Sequence, residues 1–78
     1  MPNVPTVNEI LVFNGRKKSH TIRSTVPKDA IAAVSMILGP AVAKKAKATM
    51  DTMDKVGLEM VQLRHGNHRL RIRQEEMA

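Results

Sequence analysis

"VQLRHGNHRLRIR", residues 61 to 73, decides the fold. A Gly-Asn pair set between two alternating runs signals a two-residue hairpin turn. Placing the turn at Gly66-Asn67 sets His65 against His68, Arg64 against Arg69, Leu63 against Leu70, Gln62 against Arg71 and Val61 against Ile72. Every apolar side chain then falls on one face. Gln62, Arg64, Arg69 and Arg71 fall on the other, joined by Met60 and Arg73. A slip of one residue would carry the apolar set to the wet face, so the register is strongly specified. A half-buried hairpin with arginine on its outer side follows.

The stretch upstream supplies a cover for the apolar face. In "PAVAKKAKATMDTMDKV", residues 40 to 56, Val42, Ala46, Thr49 or Met50, Met53 and Val56 (or Gly57 just beyond) recur at spacings of three and four. Lys44, Lys45, Lys47, Asp51, Asp54 and Lys55 fall largely elsewhere, which is the pattern of an amphipathic helix. Gly57 suits a left-handed C-cap, after which Leu58 can fold back toward Met53. Before it, Pro27 opens a second helix with Asp29 in its first turn and an apolar face of Ala30, Ile31, Val34, Ile37 and Leu38. Gly39-Pro40 ends one helix and starts the next.

Further out, "EILVFNG" (9 to 15) ends in Asn-Gly, and Thr21, Ile22, Thr25 and Val26 favour a strand after it. A two-residue turn at Asn14-Gly15 would oppose Ile10 to Ser19 and mix the faces. A longer loop, Asn14 to Lys18, pairs Ile10 with Ile22 and Glu9 with Arg23, and is the expected arrangement. Arg16, Lys17 and Lys18 then stand at an exposed tip. The expected chain is an extended arm over residues 1–8, a single α+β domain over 9–74 and a frayed end over 75–78. Its order is β-β-α-α-β-β, two hairpins packed on a helical pair.

Composition narrows the chemistry. A chain of 78 residues makes one domain burying about 60% of its unfolded surface or slightly more. With Phe13 the sole aromatic, the core must come from Ile, Leu, Val, Ala and six Met, and a second copy of the chain would add burial, so a homo-oligomer is expected. The absence of Cys excludes disulfides, a thiolate nucleophile and Cys-based zinc sites. The longest nearly apolar run, Ala30 to Ala43, is interrupted by Gly39-Pro40 and too short to span a bilayer. The start "MPNVPTVNE" lacks the basic and apolar regions of a signal peptide, so a soluble cytoplasmic protein with no membrane partner is expected. The net charge of +6 favours a polyanionic partner.

Arg64, Arg69, Arg71 and Arg73 share one face of the second hairpin, where guanidiniums can neutralise phosphates, and a two-stranded ribbon can enter the major groove. The competing reading is a solvated face, but like charges paired across strands repel by roughly a few tenths of a kcal/mol, which calls for compensation. Lys44, Lys45 and Lys47 occupy early turns of the second helix, where the dipole prefers anions. Single-strand readers stack bases on aromatic side chains, whereas Phe13 lies in an apolar strand, so backbone contact to duplex is expected. His65 and His68, with His20 a conceivable third, read as surface imidazoles rather than metal ligands. The carboxylates flank no evident pocket, Ser19, Ser24 and Ser35 lack acid-base partners, and no glycine forms a phosphate loop. No enzyme and no cofactor are expected. Met36, Met50, Met53 and Met60 form a stripe suited to a core or to an adaptable interface.

Two partial resemblances bear on this. "HTIRSTVPKDAIAAV" resembles the opening of a ribbon-helix-helix repressor, over residues 20 to 56, and would make Thr21, Arg23 and Thr25 groove-facing residues of a dimeric ribbon. Ser24 at an inward position, Gly39-Pro40 between the helices and the flanking hairpins depart from that family. "AKKAKATM" is similar to the second helix of double-stranded-RNA-binding domains, with a different lysine spacing and element order. Neither assigns a family. The leading expectation is a small basic nucleic-acid-binding protein, of the kind that regulates phages or plasmids, contacting duplex backbone through Arg64, Arg69, Arg71 and Arg73 with help from Lys44, Lys45, Lys47, Arg16, Lys17 and Lys18. The alternative is an inhibitor, adaptor or structural subunit whose basic face docks an acidic protein.

Overall fold

The computed structural model describes residues 5 to 76. Four strands and two helices follow in the order β1 (Thr6–Asn14), β2 (Lys17–Ser24), α1 (Pro27–Leu38), α2 (Pro40–Val56), β3 (Met60–His65) and β4 (His68–Glu76). All strand pairs are antiparallel, and they form one sheet in the order β2-β1-β4-β3. The protein is a small α+β domain. The second hairpin has the register read from its sequence, from Met60 opposite Arg73 to His65 opposite His68.

The first hairpin keeps the expected pairs, Ile10 with Ile22 and Glu9 with Arg23, but not the expected loop. Asn14 pairs with Lys17 around a turn at Gly15-Arg16, and Gly15 at φ 65° takes the left-handed conformation that glycine adopts without strain. The register then shifts between Val12 and Phe13, where Ser19 is the extra residue of a bulge. That bulge restores the inward set a tight turn would otherwise misplace. The Ser19 hydroxyl donates to the Val12 carbonyl at 3.3 Å.

The two hairpins become one sheet through β1 and β4, paired from Thr6 opposite Glu76 to Asn14 opposite His68. Paired backbone therefore runs beyond residues 9–74 at both ends, three residues into the stretch expected as an arm. Asn8 explains the gain at the N-terminal side: it is buried, its amide donates to the Ser24 carbonyl at 3.2 Å, and it accepts from Gln74 Nε2 at 3.0 Å. Residues 1–4 and 77–78 lie outside the described residues. Both turns meet at one end, where the Gly15 N–H donates to the Asn67 carbonyl at 3.4 Å.

Both helices cover the same face, α1 above β1 and β2 and α2 beside β3. Ile10, Val12, Ile22, Leu70 and Ile72 from the sheet meet Ala30 and Val34 of α1 and Val42, Ala43, Ala46, Met50 and Met53 of α2. The methionine stripe is split: Met50 and Met53 are core, while Met36 and Met60 are exposed. Gly39 joins the helices at φ 95° and ψ 166°, extended rather than left-handed helical, a region open essentially to glycine alone. Gly57 is the left-handed cap expected, and the N–H groups of Gly57 and Leu58 both donate to the Met53 carbonyl. No helix among the described residues is long and apolar enough to cross a membrane. The strand that resembles the repressor ribbon, β2, is paired within its own chain to β1, so the isolated strand which that family pairs with a second copy is not present.

Candidate nucleic-acid interface

Because the helices occupy one side of the sheet, the alternate residues of each strand are left on the open side. Registers across the four strands arrange them in rows. Nearest the turns runs Lys18, Phe13, Arg69, Arg64; next comes Thr21, Leu11, Arg71, Gln62; then Arg23, Glu9, Arg73, Met60. All four arginines singled out from the second hairpin therefore share this face.

Their electrostatic surroundings differ along its length. At the end far from the turns, Arg73 is neutralised, 2.6 Å from Glu75 and 3.8 Å from Glu9, and Glu9 also lies 3.7 Å from Arg23. Among the described residues, Arg64, Arg69 and Arg71 have no carboxylate partner. Two of them are instead drawn to the one aromatic ring: the guanidinium carbon of Arg69 lies 4.8 Å from the Phe13 centroid and that of Arg71 lies 5.8 Å away. Such contacts contribute about 0.5–1 kcal/mol at exposed sites, enough to offset the repulsion of Arg64 and Arg69 paired across the strands. They leave the positive charge in place. Arg71 Nε is enclosed with no hydrogen-bond partner among the described residues.

Between the two hairpin turns the surface dips into a cleft of about 230 Å³ lined by Gly15, Arg64, Gly66, Asn67, His68 and Arg69. Arg69 thus belongs both to the cleft wall and to the Phe13 contact. Arg16 stands in the turn of the first hairpin and Lys18 extends the Phe13 row onto the edge strand, whereas Lys17, opposite Asn14, falls in the row of His65 and His68 on the helix-facing side.

The remaining candidates fall elsewhere. Lys44, Lys45 and Lys47 are exposed on α2, in the helical layer on the opposite side of the sheet, and Lys47 pairs with Asp51 at 3.2 Å. They do not form one surface with the arginines. His65 and His68 are directly paired across the strands on the helix-facing side. No group of three His, Asp, Glu or Cys among the described residues could hold a metal ion.

Sequence reasoning missed Phe13. The unbroken apolar run "ILVF" hides which residues face inward, yet the pairing of Ile10 with Ile22 carries the answer, since Ile10 and Val12 inward force Leu11 and Phe13 outward. The β3–β4 ribbon is not free either: β4 is an interior strand, hydrogen-bonded on both sides. Comparison with protein-family models, with curated proteins and with solved structures found no match.

Proposed function

We propose that the open face of the sheet binds nucleic acid through its phosphates. Arg64, Arg69 and Arg71 are the principal contacts, with Lys18 and Arg16 extending the surface past the turns, while Lys17 belongs to the opposite side. The observation that carries this reading is the set of three arginines on one face without carboxylate partners among the described residues, in a chain of net charge +6. Arg73 is a weaker contact, since Glu9 and Glu75 already hold it. The sheet lies against the backbone rather than inside a groove: four strands spaced about 4.8 Å apart span roughly 14 Å, more than the roughly 12 Å of a major groove. A small cytoplasmic regulator that works without catalysis fits this description. A second reading, docking on an acidic protein, draws support from Met60, half-exposed on the same face beside Arg73.

The test is the double change Arg69→Gln with Arg71→Gln. Both side chains point away from the core, so the fold should survive, with the relief of crowding against Arg64 set against the lost contacts to Phe13 and stability within about 1 kcal/mol of the parent. Affinity for nucleic acid should fall at every sequence, and the salt dependence should flatten by about two charges' worth because fewer counterions are released. A folded variant that binds as the parent does would transfer the face to the acidic-protein reading.

A further inference from the structure

The open face holds one thing that a surface for phosphates alone does not need: an aromatic ring within reach of solvent. Phe13 is only partly buried and stands on the side of β1 away from the helices, between Lys18 on β2 and Arg69 on β4. Rings and guanidinium planes are the side chains on which unpaired bases stack, whatever their sequence. Here the two occur together, with Arg69 over the ring. Arg69 also lines the cleft between the turns, so a stacking platform and a cationic recess share one residue. A Cβ at Gly15 or Gly66 would meet nothing within 4 Å, so the space beside both turns is open. A duplex keeps its bases inside the helix, where this ring cannot reach them.

Resting on the nucleic-acid reading above, we propose that the occupant is a single-stranded nucleic acid, with a base stacked on the Phe13–Arg69 pair and a neighbouring phosphate in the cleft lined by Arg64, His68 and Arg69. Phe13 supplies the preference for unpaired bases, and the arginines supply affinity that any strand would share.

The experiment titrates the whole chain against labelled oligothymidylate of about 12 nucleotides, within the usual site size, and against a duplex of the same length, at two salt concentrations. The parent should hold the single strand about tenfold or more tightly than the duplex. Phe13→Leu, checked for folding by circular dichroism, should lose about 5- to 150-fold for the single strand, the worth of one stacked base, with an unchanged salt slope. Phe13→Tyr should restore it. Should Phe13→Leu fail to fold, a single strand carrying 2-aminopurine reports stacking on the parent directly through a change in its emission. Equal binding of single strand and duplex, a fully active Phe13→Leu, or unaltered 2-aminopurine emission overturns the proposal. If Arg69→Gln/Arg71→Gln still weakens both ligands in that case, phosphate binding stands and only the single-strand preference falls. If the parent binds neither ligand, both readings fall together.

Discussion

Leu70 and Arg69 are neighbours in one strand with opposite duties. Leu70 is fully buried against the helices, so Leu70→Ala should cost about 2–4 kcal/mol in chemical denaturation, the range for a large core side chain cut to alanine. Met36, 88% exposed, is the contrast: Met36→Ala should stay within about 0.5 kcal/mol of the parent. Asn8 carries a less obvious load. Its replacement by Ala strands the Ser24 carbonyl and the Gln74 amide, which should cost about 1–3 kcal/mol by thermal melting, while Asn14→Ala at the exposed end of the same strand removes no such partner. The inward role of Leu70 was legible from alternation alone. That of Asn8 was not, because its partners come from β2 and β4, far along the chain, and nothing local distinguishes it from a loop asparagine. Phe13 was given no face for a related reason: a residue in a run apolar on both faces has no alternation to report which side it takes.

The elements themselves were legible where their own residues specify them. Two alternating runs around Gly66-Asn67 admit one register, and proline and glycine mark both ends of α2. The first hairpin was legible in its pairs but not its turn, since a bulge at Ser19 lets a short turn produce the pairing of a long loop. The joint between helices offers a sharper test. Gly39 sits at φ 95°, so Gly39→Ala should destabilise by roughly 1–3 kcal/mol although its Cβ would meet no atom within 4 Å, the loss being one of backbone strain. Denaturation midpoints would show it, and a neutral result would mean that the joint relaxes. Replacing Lys44 and Lys45 by Gln addresses α2. The change should leave nucleic-acid affinity near that of the parent, because these lysines lie across the sheet from the arginine face, and raise stability by about a few tenths of a kcal/mol by easing charge near the helix start. A loss of binding as large as that of the arginine pair would extend the interface around the sheet edge.

For the molecule as a whole, one thin core and apolar side chains left outside it, among them Val26, Met36 and Ile37, lead us to expect a dimer or higher oligomer at micromolar concentration. Light scattering that returned 8.6 kDa at every concentration would exclude the second copy. Strand order was the part of the architecture that no local pattern revealed: each hairpin is written in its own residues, whereas the junction of the two depends on β1 meeting β4, more than 50 residues away. That junction governs how the chain acquires its structure. Among the described residues β3 pairs with β4 alone, and β1 without β4 keeps only β2, so a nascent chain that has emerged as far as Asn67 holds one hairpin, two helices and an unpaired strand. The sheet can close only after the last strand leaves the ribosome, and distant closure of this kind is slow beside the formation of local helices and hairpins. Until then Ile10, Val12 and the apolar side of α2 lack the cover of Leu70 and Ile72, and apolar surface left open in this way favours association between incomplete chains.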